Sequence, residues 1–122
     1  MRWYRHCGHD WIAGTQVWIC AGVTDMRRGF DSLAALVQTT LEENPFSGHV
    51  FVFRGRRGDL LKVLWYAGDG LCLLAKRLEG NRFVWPSAVS GKVHLTPAQL
   101  AMLLEGIDWR APKRLFSPTK AA

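Results

Sequence analysis

Three arginines lie within four residues in segment 54–59, which reads RGRRGD. Its glycines and its aspartate are typical of a turn between two strands. Guanidinium groups this close repel one another unless water or an anion surrounds them, and they bind phosphate through charge-assisted hydrogen bonds. Arg54, Arg56 and Arg57 therefore predict either a solvated turn or a contact with a nucleic-acid backbone. The GxxxxGK[ST] pattern of a phosphate-binding P-loop is absent.

Further cations accompany this turn. Arg27 and Arg28 are predicted in the first turn of a helix, where the helix dipole disfavours positive charge. A bound anion would remove that conflict, because free N–H groups and arginine together suit phosphate; the alternative is that both side chains are solvated. Lys62, Arg77 and Arg82 are expected on one face of a sheet. With a net charge of +6, the chain is predicted to bind a nucleic acid or another acidic partner.

The acidic residues do not form a recognisable catalytic set. Metal-dependent nucleases need carboxylates that converge on divalent cations. Asp59 and Asp69 are predicted in turns, where aspartate forms local hydrogen bonds, and Asp25 is a candidate helix cap. No GxSxG pattern occurs, and we interpret His94, between two apolar residues, as structural. The sequence thus predicts no catalytic residues and a protein that is not an enzyme.

The cysteines predict neither a disulfide framework nor a cofactor. Cys7, Cys20 and Cys72 are odd in number and widely spaced, without a CxxC pair, which indicates reduced thiols in a cytoplasmic protein. Cys7 lies near His6 and His9, but a zinc site usually needs a fourth ligand from elsewhere, so we predict no metal. No apolar run reaches the roughly 18 residues of a membrane span. The N-terminus lacks a signal-peptide core.

The pattern of apolar runs and turn signals along the chain predicts an α+β fold. In this fold a small antiparallel β-meander packs against two helices and positions the residues above. Four apolar runs in segment 49–85 are separated by turn signals, which predicts the meander; the turns are 54–59, 68–70 and 80–81. A short strand is predicted before it, over residues 16–21. Apolar residues at helical spacing predict a first helix over residues 26–41. Thr96-Pro97, with Gln99 as the partner of a capping box, predicts the start of the second helix.

We expect one α+β domain over residues 16–109. It follows an irregular segment, 1–15, that contains aromatic and basic residues. It precedes a basic tail, 110–122, that holds cations and prolines but no acidic residues, and we expect this tail to be mobile.

The alternation of side chains along the predicted strands defines two sheet faces. One face is almost wholly apolar and is predicted to form the core beneath the first helix; it collects Leu61, Val63, Trp65, Cys72, Leu74, Leu78, Phe83 and Trp85. The opposite face combines the cations Lys62, Arg77 and Arg82 with aromatic residues, namely Phe51, Phe53 and Tyr66. We expect this mixed face to bind a partner protein or a second copy of the chain. Stacking on nucleic-acid bases and coverage by another segment of the chain are the alternatives.

Three stretches carry a family resemblance. They read GVTDMRRGFDSLAALV (22–37), PFSGHVFVFRGRRGDLLKVLWYAGDGLCLLAKRLEGNRFVWP (45–86) and VHLTPAQLAMLLEGIDWR (93–110). In this order they closely resemble the accessory protein TnpB of the insertion-sequence-66 family of bacterial transposons. Ala67 stands where that family often has aspartate, which argues against an essential role for this position. The chain does not resemble the larger RNA-guided nuclease that shares the name TnpB.

The resemblance implies a role in DNA transposition, in which a separate transposase carries the DDE chemistry. Together with the residues above, it predicts a non-catalytic accessory protein that binds DNA, the transposase, or both. The expected partners are the transposase of the same element, transposon DNA and a second copy of the chain, without a membrane. The alternative is an interaction or oligomerisation module that makes no direct contact with DNA.

Overall fold

The computed structural model describes residues 14–110. Its elements, in chain order, are β1 (Val17–Val23), α1 (Phe30–Thr39), β2 (Val50–Arg54), β3 (Leu60–Tyr66), β4 (Leu71–Arg77), β5 (Lys92–Leu95) and α2 (Pro97–Leu104). The strands form one sheet in the order β4-β3-β2-β1-β5. The α+β prediction is therefore confirmed.

Several predictions fall on residues 1–13 and 111–122, which lie outside the described range. These residues include the zinc candidates His6, Cys7 and His9, nearly all of the segment expected to be irregular, and nearly all of the basic tail. Those predictions, and the domain boundaries at 16 and 109, stay predictions.

The meander is present as β2, β3 and β4, which pair antiparallel. The turn between β3 and β4 lies where expected, and the Ala67 N–H donates to the Gly70 carbonyl oxygen there over 2.9 Å. β1, by contrast, runs parallel to β2, with Val17 opposite Val50. A hairpin cannot join parallel strands, so the connection between β1 and β2 contains α1 and crosses one face of the sheet.

The last predicted hairpin, at residues 80–81, is wrong. Residues 81–86 form no strand. Instead, the Phe83 N–H and the Trp85 indole N–H both donate to the carbonyl oxygen of Gly58, over 2.9 and 3.0 Å. These hydrogen bonds tie the segment to the turn between β2 and β3, and they replace the expected strand ladder.

Both faces of the sheet are buried. The apolar face has the predicted composition, but α2 covers it rather than the first helix. Leu100 and Leu103 of α2 belong to one core with Val63 and Trp65 of β3.

α1 covers the mixed face that we expected to be available to partners. Leu33 and Val37 of this helix form a second core with Phe51, Phe53 and Leu64. Phe51 and Phe53 are 0% exposed, so their predicted place on a partner interface is wrong. The physical reason is the parallel pairing of β1 with β2, which carries α1 across this face. The alternative that another segment of the chain covers the mixed face is therefore confirmed, and that segment is α1.

α1 begins later than its apolar spacing predicts. It starts at Phe30, after a glycine in extended conformation, and neither Thr24 nor Asp25 caps it. Instead, the Asp25 carboxylate accepts the backbone N–H of Arg27 over 3.0 Å and makes a separate turn. Arg27 and Arg28 therefore precede the helix, and the expected conflict with its dipole does not arise.

α2 begins as predicted. The Thr96 hydroxyl oxygen accepts the Gln99 N–H over 3.1 Å, the Gln99 side-chain oxygen accepts the Thr96 N–H over 2.9 Å, and Pro97 occupies the first helical position. Ile107 lies beyond the helix and is 49% exposed. The helix ends before it, and Gly106 turns the chain at a φ of +75°.

Phe53→Ala tests whether the face under α1 is core. We expect it to lower the free energy of unfolding by about 3–5 kcal/mol, because it opens a cavity beneath the helix. Phe30→Ala is the matched control, since Phe30 lies in α1 and is 48% exposed. We expect this substitution to change the free energy of unfolding by less than about 1 kcal/mol. Urea denaturation followed by tryptophan fluorescence measures both. Equal losses for the two variants would contradict the buried position of Phe53.

Candidate nucleic-acid interface

One end of the sheet collects loops from three separate parts of the chain. β1, β2 and β4 all finish there, with Val23 opposite Arg54 and Arg77 opposite Leu60. We call this end, with the loop 24–29, the turn 55–59 and the segment 78–82, the basic end. It holds every predicted contact cation except Lys62, namely Arg27, Arg28, Arg54, Arg56, Arg57, Arg77 and Arg82.

The turn 55–59 is held from both sides. On one side, the Gly58 carbonyl oxygen accepts the two hydrogen bonds from Phe83 and Trp85. On the other side, Met26 packs so closely that a Cβ on Gly55 would lie 2.9 Å from its Cγ. The backbone of the turn is therefore fixed before any ligand arrives.

Two depressions flank the tip of this turn. Arg56 lines the first, of about 400 Å³, together with Arg27 from the loop before α1. Arg57 lines the second, of about 260 Å³, together with Arg82. Each depression thus combines an arginine of the turn with an arginine of a neighbouring loop. Because the backbone of the turn is fixed, an anion bound there would cost the protein little conformational freedom.

Asp25 partly neutralises the first depression. Its carboxylate accepts three hydrogen bonds from the Arg27 guanidinium, between 2.7 and 3.2 Å. These hydrogen bonds hold the pKa of Asp25 well below its ordinary value and raise the pKa of Arg27. Because folding lowers the Asp25 pKa, the pair stabilises the fold above the unfolded pKa of about 3.9. That contribution is lost as the pH falls through the lower, folded value.

Internal partners hold two of the predicted contact cations. Lys62 is half-buried, and its Nζ donates to the carbonyl oxygen of Arg28 over 2.8 Å. The guanidinium of Arg54, also half-buried, lies over the Trp85 ring, 5.3 Å from its centroid. We therefore expect Lys62 and Arg54 to position the loops of the basic end rather than to contact a ligand.

The other cations of the basic end are exposed. Arg28 donates to the hydroxyl of Ser32 over 2.9 Å, on the α1 side. Arg77 forms an ion pair with Glu79 at 3.3 Å. Each of these contacts joins two side chains at the protein surface. Such contacts contribute little to stability and exchange readily with water.

Tyr66 lies at the opposite end of the sheet, where β3 finishes. Its hydroxyl donates to the carbonyl oxygen of Gly68 over 2.9 Å, and its ring meets Phe46 edge to face, with 5.5 Å between centroids. Since Phe51 and Phe53 are buried beneath α1, the three predicted interface aromatics do not form one surface.

Sequence reasoning missed the contacts that hold the basic end together. Trp85 packs against the core, where alternation places it. Its indole N–H also reaches a turn 27 residues away, and no local pattern signals such a contact. The pairing of Asp25 with Arg27 does have a local signal, because aspartate at a turn accepts hydrogen bonds from the residue two positions later. Asp108 and Arg110 repeat this arrangement.

The described residues contain no candidate metal centre. Within residues 14–110, no group of three or more His, Cys, Asp or Glu side chains could hold a metal ion. Cys20 is buried, and its burial raises the pKa of the thiol, whereas Cys72 is partly exposed. Neither of the two described helices has the length and apolar character needed to cross a bilayer.

Comparison with known proteins identifies a matching family and similar proteins. Residues 15–114 match the family described as IS66 Orf2-like protein, TnpB_IS66. The uncharacterized protein y4hO of Sinorhizobium fredii is 58% identical over 105 residues, covering 86% of this chain and 91% of that protein. The uncharacterized protein y4jC of the same organism is 36% identical over 111 residues, covering 89% and 95%. No solved structure matches the chain.

Gly58→Ala tests whether packing against Trp85 fixes the turn. Gly58 and Gly80 both have a positive φ, of +79° and +72°, which costs alanine about 1–2 kcal/mol at either position. A Cβ on Gly58 would also lie 3.3 Å from the Trp85 Nε1, whereas nothing lies within 4 Å of one on Gly80. We therefore expect Gly58→Ala to lower the free energy of unfolding by at least about 1 kcal/mol more than Gly80→Ala. Equal losses in chemical denaturation would contradict the tight packing.

Proposed function

Because the chain belongs to the IS66 Orf2-like family, a family of insertion-sequence proteins, we propose that it is a non-catalytic accessory protein for DNA transposition. In this proposal the basic end binds the backbone of the element's DNA. A separate transposase of the same element is the protein partner and carries out the strand chemistry.

The meeting of exposed arginines from distant parts of the chain is the observation that supports DNA binding most strongly. Arg27, Arg56, Arg57 and Arg82 come from three loops and line two depressions on either side of one turn. Bringing like charges together is unfavourable unless acidic groups or a bound anion offset them, and Asp25 and Asp59, one in each depression, offset only part of the charge. A DNA backbone supplies closely spaced phosphates, and cations that bind them release condensed counterions. A polyanion would thus turn an unfavourable arrangement into a favourable one.

The geometry favours phosphate over bases as the contacted group. Phe51 and Phe53, which could have stacked on bases, are buried, and the Trp85 ring is already covered by Arg54. The exposed side chains at the tip of the turn are guanidinium groups, which bind phosphate through charge-assisted hydrogen bonds. Phosphate contacts fix the position of a protein on DNA but carry no sequence information directly. Selection of the element ends is then a task for the transposase.

Four acidic side chains of the described residues are engaged in ion pairs, which is consistent with a non-catalytic role. Asp25, Glu79 and Asp108 each form an ion pair with an arginine, and Glu43 forms one with Lys92. A metal-dependent nuclease centre instead directs its carboxylates at divalent cations.

The double variant Arg56→Ala/Arg57→Ala tests the contact with DNA. We expect it to weaken binding to duplex DNA several-fold, because two phosphate contacts are lost. Each lost contact should also reduce the magnitude of the slope of log K against log salt concentration by about 1. Fluorescence anisotropy with a labelled duplex carrying the element's terminal repeat measures the slope between about 50 and 200 mM salt. A scrambled duplex measured in parallel should give a similar loss, since the contacts are to the backbone.

Arg110→Ala is the control for this variant. Arg110 is exposed and paired with Asp108 beyond α2, so its removal lowers the net charge without touching the basic end. An unchanged salt slope for the turn variant would exclude the turn from the interface. Repeating the titration with purified transposase tests the partnership, and no change in affinity or in complex mobility would count against it.

Asp25→Asn is expected to strengthen DNA binding. Asparagine keeps an oxygen that can accept the Arg27 backbone N–H, but it removes the negative charge that engages the guanidinium. The freed Arg27 should raise affinity several-fold and steepen the salt slope by up to about 1. Asp108→Asn removes the same charge from the same type of pair and should have little effect. If the two variants behave alike, the gain reflects net charge, and Arg27 does not contact DNA.

A further inference from the structure

β4 forms one edge of the sheet and is seven residues long. Among residues 14–110, no strand pairs with its outer side. Its first five residues, Leu71 to Ala75, are uncharged and contain no proline, and its pairing with β3 shows no bulge. Proteins usually protect such an edge with charges, prolines, bulges or short strands, because it offers unpaired backbone groups to another strand. The opposite edge, β5, is protected in this way, since it has four residues and carries Lys92.

The backbone groups that β4 directs outward follow from its pairing with β3. The Ala67 N–H donates to the Gly70 carbonyl oxygen, and the Leu78 N–H donates to that of Asp59. Hydrogen-bonded pairs alternate with non-bonded pairs along an antiparallel ladder. Cys72, Leu74 and Lys76 therefore direct their N–H and C=O groups towards β3. The residues that direct theirs outward are Leu71, Leu73, Ala75 and Arg77.

We propose that two copies of the chain pair antiparallel through β4, about a two-fold axis at Leu74. This inference goes beyond the proposed function and does not rest on it. In this register all seven residues of each strand have a partner, because Leu73 faces Ala75 and Leu71 faces Arg77 of the other copy. Leu74 faces its own copy in a non-hydrogen-bonded pair, where Cα atoms approach to about 4.5 Å.

The charges of β4 favour a second copy as the occupant. Its two cations, Lys76 and Arg77, lie at one end of the strand. Antiparallel pairing about Leu74 places each of them opposite an uncharged residue, Cys72 or Leu71, of the other copy. Parallel pairing in register would instead place like charges side by side, which is destabilising. The charges of β4 thus favour antiparallel pairing with β4 of a second copy and disfavour parallel pairing.

The proposed dimer has a defined shape. An axis through paired edge strands stands perpendicular to the sheet, so both copies of α1 lie on one face and both copies of α2 on the other. The two sheets become continuous. Because β4 runs in opposite directions in the two copies, the two basic ends point away from one another.

The first test is the introduction of a thiol at the axis. Leu74→Cys places two thiols opposite each other at a separation that suits a disulfide. Under mild oxidation we expect a covalent dimer on a non-reducing gel, which reductant returns to a single chain. Gln38→Cys, on the exposed side of α1, controls for random collision and should cross-link far more slowly. The unmodified chain controls for its own cysteines.

The second test is sedimentation of the full-length protein without DNA. We expect twice the mass of one chain, and we expect Ala75→Pro to return the mass to that of one chain. Proline removes an outward N–H at an exposed edge position without removing a bond to β3. Ala75→Thr keeps that N–H and should leave the dimer intact. Circular dichroism establishes that both variants are folded.

Three results would overturn the proposal. A wild-type chain that sediments as a monomer at all concentrations is one of them. Failure of Leu74→Cys to cross-link faster than Gln38→Cys is another. The third is a disulfide from the introduced thiol to Cys7 of the same chain, which would place the N-terminal segment on the edge. Because neither test contains DNA, these results leave the proposal of DNA binding unaffected.

Discussion

Both faces of the single five-stranded sheet are buried, and this burial determines which surfaces of the molecule remain exposed. α1 packs over Phe51, Phe53 and Leu64, and α2 packs over Val63 and Trp65. Sheets covered on both sides have no face left for a partner. Of the sheet itself, only the ends of the strands and the two edges remain accessible. The basic end offers exposed cations, and β4 offers backbone groups with which no strand among residues 14–110 pairs.

The basic end depends in turn on one carbonyl oxygen. The Gly58 carbonyl accepts the N–H groups of Phe83 and of the Trp85 indole, so it joins the turn after β2 to the segment after β4. The Trp85 ring also supports the guanidinium of Arg54. A buried carbonyl with two good donors is well satisfied and expensive to expose. The exposed arginines beside it consequently extend from a rigid backbone, and Asp25 holds one of them, Arg27.

Local patterns in the sequence were sufficient for much of the fold. The capping box at Thr96, the turns around 55–59 and 67–70, and the register of β3 with β4 follow from residue types a few positions apart. The start of α1 did not follow, because Asp25 engages Arg27 locally instead of capping the helix. The strand expected after residue 81 did not follow either. Its hydrogen-bond partner is a turn more than twenty residues earlier, and propensity carries no information about such contacts.

The class of the fold, the cations available for binding and the family resemblance can all be read from the sequence alone. Each of these follows from residue types and short spacings, because their effects on backbone geometry and charge are local. The positions of those residues depend on long-range contacts. Such contacts make Phe51 and Phe53 part of the core and engage Lys62 and Arg54 internally. They also bring together four exposed arginines at one end of the sheet, namely Arg27, Arg56, Arg57 and Arg82. The reason is the parallel pairing of β1 with β2, a non-local choice. It sets the course of α1 and thereby decides which face is covered.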